Sequence, residues 1–141
     1  MNSDPLDLWK KQLTPRKPIL SHYYGDVVRG LFIFAGILIL ALAPYRPELV
    51  PAGSFIVVVM VLGVALLAGI TNPRQRFIIL LDTIVSALGL ILFEFFAFAH
   101  YRISKSLDST LIAQEILALI FFFALYYSVK SLRAKLLSQT P

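Results

Sequence analysis

Three carboxylic acids stand inside apolar runs of this chain: Asp82, Glu94 and Glu115. A charged side chain at mid-bilayer costs about 2.5–3.5 kcal/mol on insertion scales, and less toward the ends, so each acid marks a candidate site. The stretch LGLILFEFFAFAHYR, residues 88–102, sets Glu94 between Phe93 and Phe95. At about 100° per residue, Asp82, Thr83, Ser86, Gly89, Glu94 and Ala97 fall in one sector of a helix, while Ile84, Leu88, Ile91, Phe95 and Phe98 fall opposite. In lipid the bulky sector is the exposed one, and small or hydroxyl residues mark helix–helix contact. This predicts that Glu94 faces protein.

Depth pairs Glu94 with Glu115. The first lies five residues before its run ends at Ala99, about 7 Å below that boundary; the second lies four residues into the next run, about 6 Å below. Two carboxylates in one dry site cannot both ionise cheaply, so they hold a proton between them or share a cation. Glu94 and Glu115 are therefore the candidate ion or proton site. A structural reading stands beside it. His100, Arg102 and Lys105 occupy the link just above, long basic side chains can reach down to carboxylates, and Gln114 offers an amide. Pairing of that kind locks a hairpin without moving any ion.

Asp82 lies five residues inside the other end of the run, beside TNPRQR, so a helix-end salt bridge to Arg74 or Arg76 is its expected role. With Thr83 and Ser86 it forms a structural polar face. A relay from Asp82 to Glu94 would cover about 18 Å, and two hydroxyls are too few for a proton wire. Other chemistry lacks residues. The chain has no cysteine, which excludes disulfides, thiol catalysis and cysteine–metal sites. His22 and His100 fall at opposite ends of the spans and cannot share a metal or haem. No Ser–His–Asp or His–Glu–x–x–His spacing and no glycine-rich phosphate loop occurs. The expectation is no metal, no cofactor and no enzyme.

The elements that must position these acids are set by composition. Of 141 residues 58% are hydrophobic and only 15% charged, against about 45–50% and about 25% in soluble domains. Four runs, 27–45, 52–70, 77–99 and 111–129, are each long enough to cross hydrocarbon as a helix. They lack period-2 alternation and are twice the length of a barrel strand, which excludes a β-barrel. The links PYRPELVP, TNPRQR and HYRISKSLDS are short and favour antiparallel neighbours. The fold class is all-α: a polytopic four-transmembrane-helix bundle.

Orientation follows from basic residues. An even number of spans puts both termini on one side, and that side collects ten of the 13 bases; Arg46, Arg102 and Lys105 fall on the other. The positive-inside rule places both termini in the cytoplasm, in the plasma (cell inner) membrane. Tyr23, Tyr24, Tyr126 and Tyr127 mark the inner boundary, Tyr45 and Tyr101 the outer. Ala41–Ala43 has the small-x-small form of a cleavage site, but 26 residues precede the run and Pro44 follows, so an uncleaved signal-anchor is expected.

Residues 1–26 form a basic arm. Ser3 or Asp4 can cap a helix that Pro5 starts and Pro15 stops, with Leu6, Trp9 and Leu13 on one face. Trp9, Lys10, Lys11, Arg16 and Lys17 would then contact an anionic membrane surface. A disordered arm is the alternative. Residues 130–141 are a short basic tail. Although the net charge is +5, the bases follow the spans and form no single patch, so anionic lipid rather than nucleic acid is the expected partner. Two functions fit: a non-enzymatic structural or accessory subunit bound to a membrane-protein partner, or a small homo-oligomeric proton- or cation-coupled transporter using Glu94 and Glu115.

Overall fold

A computed structural model describes residues 24–51, 53–70 and 76–137, and all regular structure among them is helical. Four helices follow in order: α1 (Gly25–Leu42), α2 (Ser54–Ile70), α3 (Arg76–Ser104) and α4 (Ser109–Leu137), with a 3-10 turn at Pro47–Leu49 between the first two. Residues 1–23 of the basic arm, Ala52, TNPRQR up to Gln75 and the last four residues lie outside the described residues.

Local chemistry fixes the ends. α1 opens on the Tyr24 carbonyl, which accepts the amides of Val27 and Val28 at 3.1 Å, and Asp26 in its first turn suits the positive end of the helix dipole. It closes where the Ala43 amide reaches the Ile39 carbonyl and Pro44 follows. Gly53, at φ 91°, turns the chain into α2 through a left-handed conformation that a side chain would strain. Its carbonyl accepts the amides of Ile56 and Val57.

α3 and α4 contain 29 residues each, about 43 Å, and outrun the apolar stretches that seed them. HYRIS and residues 130–137 contain neither glycine nor proline, so nothing stops the helix where hydrophobicity ends. The break comes only at Lys105, φ 50°, leaving a four-residue link, 105–108.

α4 is the central element. It packs along α3 and against α1; α1 in turn packs on α2, while α2 and α3 barely touch. Phe121 on α4 lies at the centre, stacked on Phe93 of α3 at 5.7 Å and tilted against Phe32 of α1 at 6.2 Å, all three fully buried. Gly89 of α3 permits that packing: a β-carbon there would stand 2.6 and 2.7 Å from Phe121 ring carbons. The outward faces are apolar as well. Phe34, Ile37, Leu66, Leu88, Ile91, Phe95 and Leu119 are all exposed, a pattern suited to a hydrocarbon surrounding and not to water. Three helices, Gly25–Leu42, Phe77–Ser104 and Ser109–Leu137, are long and apolar enough to cross a membrane; the apolar stretch in α2, Phe55–Gly69, is shorter. The chain fits a membrane protein.

Candidate functional site

The Gly89–Phe121 contact sets the α3–α4 register. Glu94 is five residues past Gly89 and Glu115 six before Phe121, so in antiparallel helices the two stand within about one residue rise, 1.5 Å, of the same level. They line one open groove of about 550 Å³ along the α3–α4 seam, with Leu90, Leu111, Ile112, Ile116, Leu119 and Phe122 as its apolar walls and small, buried Ala118 among its lining. The groove opens outward. Both carboxylates are exposed, whereas Glu94 was expected to face protein. The reason is angular: Phe93 is fully buried, and one residue on the helix has turned about 100°. Glu94 thus sits on the margin of the buried face, flanked by half-buried Leu90. No described residue pairs with either glutamate.

The partners expected for them are engaged elsewhere. His100 Nε2 meets Asp108 Oδ2 at 2.8 Å, and Asp108 Oδ1 accepts the Leu111 amide at 2.9 Å, capping α4. The Leu111 amide, followed by the His100 contact, holds the Asp108 carboxyl below the usual carboxylate range. Arg102 lies over the Phe98 ring at 5.9 Å, and Lys105 is exposed in the turn. A hairpin lock therefore exists, but it runs through Asp108. Gln114, fully buried, donates from Nε2 to the carbonyls of Glu48 and Leu49 at 3.1 and 3.2 Å. That tie draws the loop after α1 onto α4 and buries Leu49 and Val50.

Toward the other end, Asp82 and Ser86 are buried and Thr83 is half-buried. Thr83 donates to Ile79 O and Ser86 to Asp82 O, each one turn back in its own helix. Neither hydroxyl is aimed along a path to Glu94. Among the described residues Asp82 Oδ1 has no hydrogen-bond partner, and neither has Ser128 Oγ on α4. Asp82 lies seven residues before Gly89 and Ser128 seven after Phe121. Seven residues is close to two turns, so these two oxygens fall on the contacting faces and at one level. Arg74, the expected salt-bridge partner, lies outside the described residues, as does the Arg76 side chain.

At the same end the Tyr24 amide donates to Ser131 Oγ at 3.1 Å, and the Tyr24 and Tyr127 rings meet at 5.4 Å. Lys130 Nζ stands over the Tyr24 ring at 4.6 Å and the Tyr126 ring at 5.9 Å, a cation–π contact between α4 and the start of α1. Trp9, Lys10, Lys11, Arg16 and Lys17, the expected membrane-surface contacts, lie outside the described residues. No group of three or more His, Asp or Glu able to hold a metal occurs among those described.

Two site features escaped the sequence reading. Asp108 carried a local signal, an acid followed by Ser-Thr-Leu before an apolar run, which is the pattern of a helix cap. Ser128 carried none until Gly89 and Phe121 were known to touch. The arrangement defines a class, a small helical protein fit for a membrane with paired acids on an outward seam. No protein-family model, curated protein or solved structure matches the chain.

Proposed function

We propose that this chain is a non-enzymatic accessory subunit of a membrane complex: a four-span bundle, both termini cytoplasmic, that docks on a membrane-protein partner through the α3–α4 seam. The observation that carries the reading is the outward opening of the Glu94–Glu115 groove. A carrier made of one chain needs its acids on a path through that chain, yet these acids line the outside of the helical assembly. An unpartnered carboxylate facing lipid is costly, so a partner's cover supplies the missing interactions. Four spans are supported by the 17 residues of α2, at the lower limit of spanning length, and the orientation by the excess of bases on one side. Lys130 and Arg133, exposed at the inner end, suit anionic headgroups.

The test is the native mass of tagged protein extracted in mild detergent, with identification of whatever accompanies it at fixed stoichiometry. One copy bound to a different membrane protein is the expected result. A homo-oligomer without other protein, which moves protons or cations in liposomes and stops doing so as Glu94→Gln, would overturn the reading in favour of the transporter.

A further inference from the structure

The groove's shape and charge together describe its occupant. On α4 it runs from Leu111 to Phe122, twelve residues separated by eleven rises, about 16 Å or three turns of helix. It is long and open rather than closed around a compact molecule, and its lining is apolar except for two carboxylates at one level. A lipid offers its apolar tails at that depth, and an anionic headgroup would be repelled by both acids. A second copy of this chain, related by a two-fold axis, would bring four carboxylates together, while its outer-side bases, Arg46, Arg102 and Lys105, stand above that level. What complements the groove is a helix of comparable length with a cation in the outer third of the membrane. Basic residues placed there are rare in spanning helices and pair with acids when they occur.

We propose that the α3–α4 groove seats a transmembrane helix of the partner protein that presents a lysine or arginine between Glu94 and Glu115. This deepens the accessory reading and rests on it. The base meets one or both carboxylates in a charge-assisted contact, and the apolar walls pack on the turns above and below it. Ala118, small and buried beside the seam, leaves room for that helix to approach.

The experiment places benzoylphenylalanine at Ile112, 52% exposed in the groove, or at Phe55, 80% exposed on α2, in the full chain in its native membrane. After irradiation, the adduct peptides are sequenced. The expected adduct from Ile112 is an apolar segment of spanning length in another protein, containing Lys or Arg. Its yield falls about tenfold in Glu94→Gln/Glu115→Gln, and Glu94→Lys restores it when the partner's base is changed to Glu. Both acids are exposed in the single chain, so the variants fold. An adduct on this same chain, on lipid alone, or on a helix without a base overturns the proposal, as does a yield unaffected by the glutamine pair. Partner present by native mass but attached only at Phe55 sinks the groove assignment and leaves the accessory reading standing. Absence of any partner by native mass sinks both.

Discussion

Replacing Gly89 with alanine tests the register on which every level in this molecule depends. The new β-carbon would stand 2.6 and 2.7 Å from two Phe121 ring carbons and closer still to a third, where ordinary carbon contacts are about 3.5–4.0 Å. Phe121 is 1% exposed and packs on Phe93 and Phe32, which are themselves fully buried, while its remaining side borders a groove of about 560 Å³ shared with Gly89. Relief requires the ring to leave its packing on Phe93 and Phe32 or α3 and α4 to separate, and overpacking of this kind costs about 1–3 kcal/mol. Alanine's helix preference over glycine returns about 1 kcal/mol, so the net loss is about 0–2 kcal/mol. Unfolding by SDS from mixed micelles, followed by circular dichroism, measures it. Phe121→Ala removes Cγ and the whole ring, so Gly89→Ala made in that background should cost little or nothing, a coupling of about 1–3 kcal/mol. An equal cost in both backgrounds would falsify the register, and with it the alignment of Glu94 with Glu115 and of Asp82 with Ser128.

Other perturbations separate the polar contacts that hold the fold from those that do not. Gln114→Leu strands the carbonyls of Glu48 and Leu49 that its amide now serves, and should cost about 1–3 kcal/mol in the same unfolding assay; an unchanged midpoint would mean the loop is not tied to α4. Ser128→Ala removes a buried hydroxyl that has no partner among the described residues and should be neutral or stabilising by up to about 1 kcal/mol; a clear loss would show that the hydroxyl binds something. The Asp108 carboxyl is held lower in the folded chain than in the unfolded one, so its contribution is fully present above the ordinary carboxylate pKa of about 4 and is lost as pH falls through the lower folded value. Stability of the wild type should therefore fall below about pH 4 more steeply than that of Asp108→Asn, and parallel acid titrations of the two would count against the cap.

Much of the helical architecture was legible because hydrophobic runs and proline report directly on span length and helix ends. The runs at 77–99 and 111–129 sit inside α3 and α4, whereas the run at 27–45 overshot: α1 ends at Leu42, just before Pro44. The missed boundaries share a cause: hydrophobicity locates the bilayer, not the helix, and residues 100–104 and 130–137 continue as helix because nothing breaks them. The polar sector of α3 was readable too, since Asp82, Ser86, Gly89, Phe93 and Ala97 are all buried. Glu94 was misplaced because a sector under half a circle still has edges, and only the neighbouring helix decides on which side of the seam an edge residue falls. Partners were the least legible part. His100 and Gln114 were available to the glutamates by depth, but Asp108 and the loop carbonyls of Glu48 and Leu49 engage them instead, the latter contact spanning 65 residues.

The acids therefore do different things despite sharing a hydrophobic setting. Asp82 is buried on the face of α3 that meets α4, level with a hydroxyl, and belongs to the inside of this chain. Glu94 and Glu115 belong to the outside. Their level is fixed by a glycine and a phenylalanine that have no polar role, and the His100–Asp108 and Gln114 contacts engage nearby groups that could have met them. The hairpin lock spares two acids on an apolar seam, where the proposed partner helix would meet them. Because the lock is separate from the acids, the glutamine variants should weaken assembly without unfolding the hairpin, whereas Asp108→Asn should loosen the hairpin while the groove keeps its charge. That opposite pattern distinguishes a docking surface from a structural pair: loss of fold in the glutamine variants would return Glu94 and Glu115 to the hairpin itself.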